Sequence, residues 1–285
     1  MLSRAPAGAD HRALPSLHAR RVGRAAIAAL YDELALAPKP GLVSFEDRGS
    51  HADMDAGLFM RSLFALRQYF PSIALLGASR APFAALQAAG IAAEARMLRA
   101  TGGVNTHRGA VFTLGLLCAA GGLAERAVSA TRLRRLLVVN WGAALGERTT
   151  DGTSNGSRAV QAHGLRGAAV EAASGFPAIF ELAWPALIDS LQSGLDDRHA
   201  RLQVLMTVVA ELDDTNLAHR GGMAGLRFAQ AQARAFLAAG GAARPDALDH
   251  ASAIHRAFVA RQLSPGGAAD VLAAVCLLQR VCSAE

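Results

Sequence analysis

The 285-residue sequence predicts an all-α fold in a single compact domain of ten or more helices. Three observations lead there. Alanine, leucine and arginine dominate and β-branched residues are sparse, so intrinsic propensity favours helix along nearly the whole chain. Apolar residues recur at spacings of three and four, the period of one helix face. No stretch alternates apolar and polar residues over a strand's length, and no strand-then-helix rhythm points to a parallel sheet.

The elements follow in order. Residues 1–24 carry Arg4, Arg12, Arg20, Arg21 and Arg24 and read as a basic, flexible lead-in. Ala26, Ile27, Leu30 and Leu34 then make the first apolar face, and Leu58, Leu63 and Leu66 the next. Asn105 or Thr106 is the expected N-cap of a helix running through Val111, Leu114 and Cys118. Residues 148–157 form the most polar loop, and residues 164–177 a small-residue helical stretch. Val204, Val208 and Leu212 mark another helix. Ser264 as N-cap with Pro265 at the first helical position starts the last one. The 28 glycines exceed the usual ~7% and cluster between these segments as punctuation.

Composition excludes several classes. At 52% hydrophobic the chain is far too apolar for intrinsic disorder. Cys118, Cys276 and Cys282 are few, odd in number and set in apolar runs, which predicts buried thiols in a reducing cytosol rather than a disulfide framework. The longest uncharged run, Gly109 to Ala124, is shorter than the ~20 residues of a membrane span and is broken by glycine. No apolar core of a secretory signal is present, so the expected protein is cytoplasmic, with no membrane partner. The net charge of +6 comes from scattered arginine, and only 5% of residues are aromatic, which argues against nucleic acid. A polyanionic small molecule fits this balance.

Four polar islands interrupt the apolar helices. In Pro38-Lys39-Pro40-Gly41, two prolines stiffen the backbone around Lys39, the only lysine in the chain. His51, Asp53 and Asp55 follow, and the two carboxylates serve either a shared Mg²⁺ or a helix start. The second island, Thr101 to Ala110, places His107 and Arg108 in the first turn of a helix. Cations there oppose the macrodipole unless an anion such as phosphate binds. The third holds Asp213, Asp214, Asn216, His219, Arg220, Gly221 and Gly222, the densest polar cluster, where adjacent carboxylates need a cation or a shared proton. The fourth, Ser264 to Leu272, includes Asp270 and reads as a well-made helix start. Glu171 is a lone acid in a small-residue helix, either catalytic or merely exposed. His11, His18, His199, His250 and His255 show no partner pattern.

These islands, in this order from about residue 25 to the C-terminus, resemble the triphosphoribosyl-dephospho-CoA synthase family. The resemblance rests on Pro38 to Val43 with His51 to Asp55, Gly103 to Ala110, Glu171 to Pro177, Leu212 to Gly222 and Ser264 to Leu272. It makes residues 25–285 one all-helical synthase domain. It implies transfer of the triphosphoribosyl group of ATP to the ribose 2′-hydroxyl of 3′-dephospho-CoA, with release of adenine and inversion at the anomeric carbon. The product would pass to a transferase that loads the acyl-carrier subunit of malonate decarboxylase or citrate lyase. Under that resemblance Lys39, Arg108 and Arg220, with His51, Asn105, His107, Asn216, His219, Gly221 and Gly222, are the expected substrate-binding residues. Asp53, Asp55, Asp213 and Asp214 are candidates for Mg²⁺, and Asp213, Asp214 or Glu171 for the base. Two other readings are an all-α metal-dependent ADP-ribosyl hydrolase, which would use water as acceptor, and a non-catalytic helical adaptor for an acyl-carrier protein.

Overall fold

The computed structural model describes residues 13–147, 162, 164–165 and 167–283. Among them the chain is helical with no strand, the one β-type contact being an isolated bridge between Val128 and Cys282. The helices are α1 (Ala13–Ala35), α2 (Ala56–Leu66), α3 (Tyr69–Ala78), α4 (Phe83–Ala100), α5 (Arg108–Ala124), α6 (Ala130–Gly146) and α7 (Ala168–Ala173). A π-helical segment (Ala178–Ala183) runs into α8 (Trp184–Gln192). There follow α9 (Asp197–Glu211), α10 (Thr215–Ala238), a 3₁₀ turn (Gly241–Ala243), α11 (Ala247–Ala260) and α12 (Gly266–Val281). Helix α1 starts earlier than the basic lead-in suggested. Residues 13–24 are its first half, and Ala19 and Val22 are buried there because this arginine-rich stretch still presents a small apolar stripe.

Helices α5 and α12 form the centre, apolar on nearly every side, as expected of helices enclosed by others. Helix α5 packs against α1, α3, α6 and α12. Its approach to α3 is unusually close: a side chain at Gly77 would strike the Ala119 carbonyl, and one at Gly122 the Ala74 carbonyl. Small residues there let two backbones touch, and Leu114 and Leu117 fill the space beside them with complete burial. Each such leucine contributes about 1.5–3 kcal/mol by leaving water. Cys118 and Cys276 are buried thiols as expected, whereas Cys282, at the C-terminal end of α12, is only half-buried. The polar loop at residues 148–157 lies outside the described residues.

Helix α10 is broken where the third island predicted punctuation. Gly222 sits at φ 60°, ψ −168°, a conformation costly for any residue with a Cβ, and the axis kinks there. Among the described residues no helix is long and apolar enough to cross a membrane.

Candidate active site

The site grows from the ends of five elements: the C-terminus of α1, the loop 36–55, and the N-termini of α5, α10 and α12. Its floor is an ion pair. Lys39 is 1% exposed, and its Nζ donates to Glu33 Oε1 at 2.5 Å and to the Glu33 carbonyl at 2.7 Å. Glu33 is itself 4% exposed, so both charges are out of water. Burial pulls the Lys39 ammonium below its ordinary pKa, opposed by the Glu33 carboxylate. In the structure the lysine, expected from the sequence to meet the triphosphate, serves as an internal counter-ion. His255, left unassigned by sequence, holds its loop: Nδ1 lies 3.0 Å from the Lys39 carbonyl and 3.3 Å from the Gly41 nitrogen, and Nε2 lies 3.0 Å from Asp47 Oδ2.

Two further carboxylates converge on this floor. Asp214, 1% exposed, caps α10 by accepting from the Asn216 and Leu217 nitrogens at 2.8 and 3.3 Å. Its other oxygen takes the Ala268 nitrogen of α12 at 3.0 Å, and the Gly267 nitrogen also points to it. One side chain therefore caps two helices. Asp270, one turn into α12, reaches the next helix in turn and accepts from the Ala110 nitrogen at the start of α5. Gly109 makes this possible, because a Cβ there would overlap the Asp270 carboxylate. The positive end of α5, expected to bind a ligand's phosphate, is occupied at this point by a carboxylate of the chain itself.

Around α5 the second island divides. Asn105 Oδ1 accepts from the Arg108 nitrogen at 3.1 Å and so ties the loop to the helix start, but the cap position itself is His107, two residues further on, whose side chain makes no capping bond. His107 is 3% exposed, with Nδ1 2.7 Å from Ser62 Oγ and its ring edge-on to Phe59. Burial, and then the Lys39 charge, hold its pKa down to about 3. Its Nε2 and the Thr106 hydroxyl are buried without a partner in the structure. Arg108 turns away to pair with Glu94 of α4, so it does not share the Lys39 floor.

The mouth is built by the first, third and fourth islands together. Arg220 donates from Nη1 to the carbonyls of Ser50 at 3.0 Å and Gln262 at 3.2 Å, and Nη2 lies 2.9 Å from His51 Nδ1. With the arginine donating to Nδ1, the opposite nitrogen carries the proton and donates to Ser264 Oγ at 2.8 Å. Ser264 therefore faces histidine instead of capping α12, a duty taken by Asp214. His51 is held down to about 4 by burial and then by the Arg220 charge, against the pull of Asp53, 3.8 Å away. With folded values below the unfolded ~6.5, the unfolded chain binds more protons in the interval between. Stability is then lost as pH falls from about 6.5 towards 4. Proton NMR of the His51 ring is expected to titrate near 4, and His51→Gln to reduce the acid-side loss of stability.

The remaining candidates lie as follows. Asp55 caps α2, accepting from the Leu58 nitrogen at 2.9 Å, with Arg48 at 3.5 Å. Asp53 and Asp213 are exposed, as is His219, and Asn216 is half-buried against Gly266. Gly221 and Gly222 form the kink of α10. Glu171 sits on α7, where Oε2 lies 3.5 Å from the Ala178 nitrogen and supports the π-helical start. Among the described residues no contact joins it to the Lys39 floor, and no three metal-ligating side chains cluster. Two shallow recesses flank the mouth and share Arg48, one lined by Asp53, Asp55 and Arg61, the other by His255, Arg256 and Val259. Sequence reasoning missed Glu33, Ser62 and His255 and read Asp270 as helix punctuation; only the glycine at 109 signalled a close approach.

Comparison with known proteins shows the family. The profile of the CitG family, ATP:dephospho-CoA triphosphoribosyl transferase, matches residues 19–285. A probable 2-(5''-triphosphoribosyl)-3'-dephosphocoenzyme-A synthase of Acinetobacter calcoaceticus is 37% identical over 277 residues, 95% of each chain. A similarly named protein of Azotobacter vinelandii is 39% identical over 279 residues, 94% of this chain and 93% of that one. The 2-(5''-triphosphoribosyl)-3'-dephosphocoenzyme-A synthase of Pectobacterium atrosepticum is 42% identical over 266 residues, 88% of this chain and 85% of that one. No solved structure matches the chain. With nearly its whole length aligned to one enzyme type, the chain belongs to the ATP:dephospho-CoA triphosphoribosyl transferase family and is a transferase.

Proposed function

We propose that the protein moves the triphosphoribosyl group of ATP onto the ribose 2′-hydroxyl of 3′-dephospho-CoA, releasing adenine. The observation that carries this reading is the near-full-length similarity to synthases of that name. The site's chemistry supports it. Glycosyl transfer of this kind passes through a cationic sugar, which buried carboxylates stabilise, and needs a group to take the hydroxyl proton. Glu33 and Asp214 place carboxylates beneath the mouth, with Asp270 beside them. Arg220 supplies positive charge at its rim, where a triphosphate arrives, with Asn105, Asn216 and His219 as further contacts.

The carboxylates divide by what they already hold. Asp55 and Asp214 are committed to backbone amides, so they fit poorly as metal ligands or as the base. Asp53 and Asp213 are exposed and fit Mg²⁺ held in the usual way, by one or two carboxylates together with substrate phosphates. The ion would neutralise charge on the triphosphate. Where Asp53 alone holds the ion, Asp213 is free to be the base, with Glu171 second. Transfer from the β-linked donor proceeds with inversion, in a single displacement. The product serves the acyl-carrier subunit of malonate decarboxylase or citrate lyase, through a transferase that loads it, in the cytoplasm.

Incubation with ATP, Mg²⁺ and dephospho-CoA is expected to give free adenine and a product heavier by triphosphoribose in mass spectra. Adenine without the heavier product would mean that water is the acceptor, and no adenine would reject the reading.

A further inference from the structure

Of the three acids beneath the mouth, two are already compensated. Glu33 holds the Lys39 ammonium, and Asp214 holds amides of Asn216, Leu217, Gly267 and Ala268. Asp270 has one amide, from Ala110, and among the described residues no ion pair reaches it. It is also the member of the three that keeps partial solvent access, whereas Glu33 and Asp214 are buried. The groups around it are Glu33 from α1, Asp214 from the turn before α10, and the first turn of α5. On that turn Arg108 is spent on Glu94 and His107 is neutral. A third anion here would stand among two carboxylates whose one cation, Lys39, is already paired.

We propose that Asp270 holds a proton in the resting enzyme and donates it to the departing purine. This rests on the transferase reading above. As the bond between the anomeric carbon and N9 breaks, its electron pair stays with the purine, and the Asp270 proton passes to a purine nitrogen. Asp270 is left as a carboxylate beside the cationic sugar. The acceptor hydroxyl attacks that carbon and loses its proton to the base, so in sum one proton moves from hydroxyl to adenine, and exchange with solvent resets both acids. Burial and the neighbouring carboxylates raise the Asp270 pKa well above the ordinary range, as such a donor needs. Gly109 is the positioning element, since any side chain there would push the carboxyl away.

The test combines infrared spectroscopy with kinetics. In aspartate-labelled protein at neutral pH, the difference spectrum of wild type minus Asp270→Asn is expected to carry a protonated-carboxyl band. Asparagine copies the shape of the protonated acid but cannot donate. Adenine release is therefore expected to fall on the order of 10²–10⁴-fold. ATP binding by equilibrium dialysis should be unchanged, and the loss of kcat at high pH should disappear. If the variant does not fold, the wild-type band must still fade with rising pH in step with kcat. Absence of the band, or an unchanged high-pH limb in Asp270→Asn, overturns the proposal. Failure of the wild type to release adenine would instead reject the transferase reading, while the band reports the proton independently.

Discussion

Lys39→Met is expected to destabilise the protein by about 3–5 kcal/mol, because it strands a buried carboxylate. Glu33 and Lys39 are each nearly sealed from water and joined at 2.5 Å, and the ammonium also takes the Glu33 carbonyl at the end of α1. Removing the cation leaves Glu33 with a charge it cannot solvate, beside Asp270, which already feels it. The loss comes from the unpaired acid more than from the missing bond. Glu33→Gln in the same chain should therefore restore much of the stability, and the double variant should lie well above the sum of the single losses. Urea unfolding of the four proteins measures this. Equal, additive losses would mean the two charges are not coupled. Activity should stay low in the double variant, since the floor has lost its charge.

Asp214→Ala is the second large effect. One carboxylate ends α10 and α12 together, so its loss leaves several buried amides without an acceptor. At roughly 1–3 kcal/mol for each unsatisfied buried group, a total near 3 kcal/mol or more is expected. Asp214→Asn retains one carbonyl oxygen and should lose about half as much. A midpoint of unfolding in Asp214→Ala equal to wild type would show that the two helix ends do not depend on this side chain. Amide exchange localises the effect: the nitrogens of Asn216, Leu217 and Ala268 should lose protection first, ahead of the core of α5.

The polar islands were visible in sequence because each is a local anomaly, with glycine, proline and charge set in an alanine-rich helical chain. Lys39 stood out for the same reason, as the single lysine between two prolines. Its partner did not stand out. Glu33 lies at the end of a regular helix, at a spacing that no helical pairing rule singles out, and the turn through Pro38 brings the two together. Asp53 and Asp55 looked equivalent; the backbone dihedrals of Asp55 place it as a cap and leave Asp53 in solvent. Arg108 looked like a phosphate ligand because α4 and its Glu94 could not be placed beside it.

The helices, their punctuation and the all-α class were determined by the sequence itself, because propensity, the 3.6-residue period and capping act over a few neighbouring residues. Only the tertiary structure decided which carboxylate meets which helix end, and so which acid finds a cation and which does not. Those pairings depend on desolvation and on long-range packing, set by contacts such as Gly109 against Asp270 that no local pattern encodes.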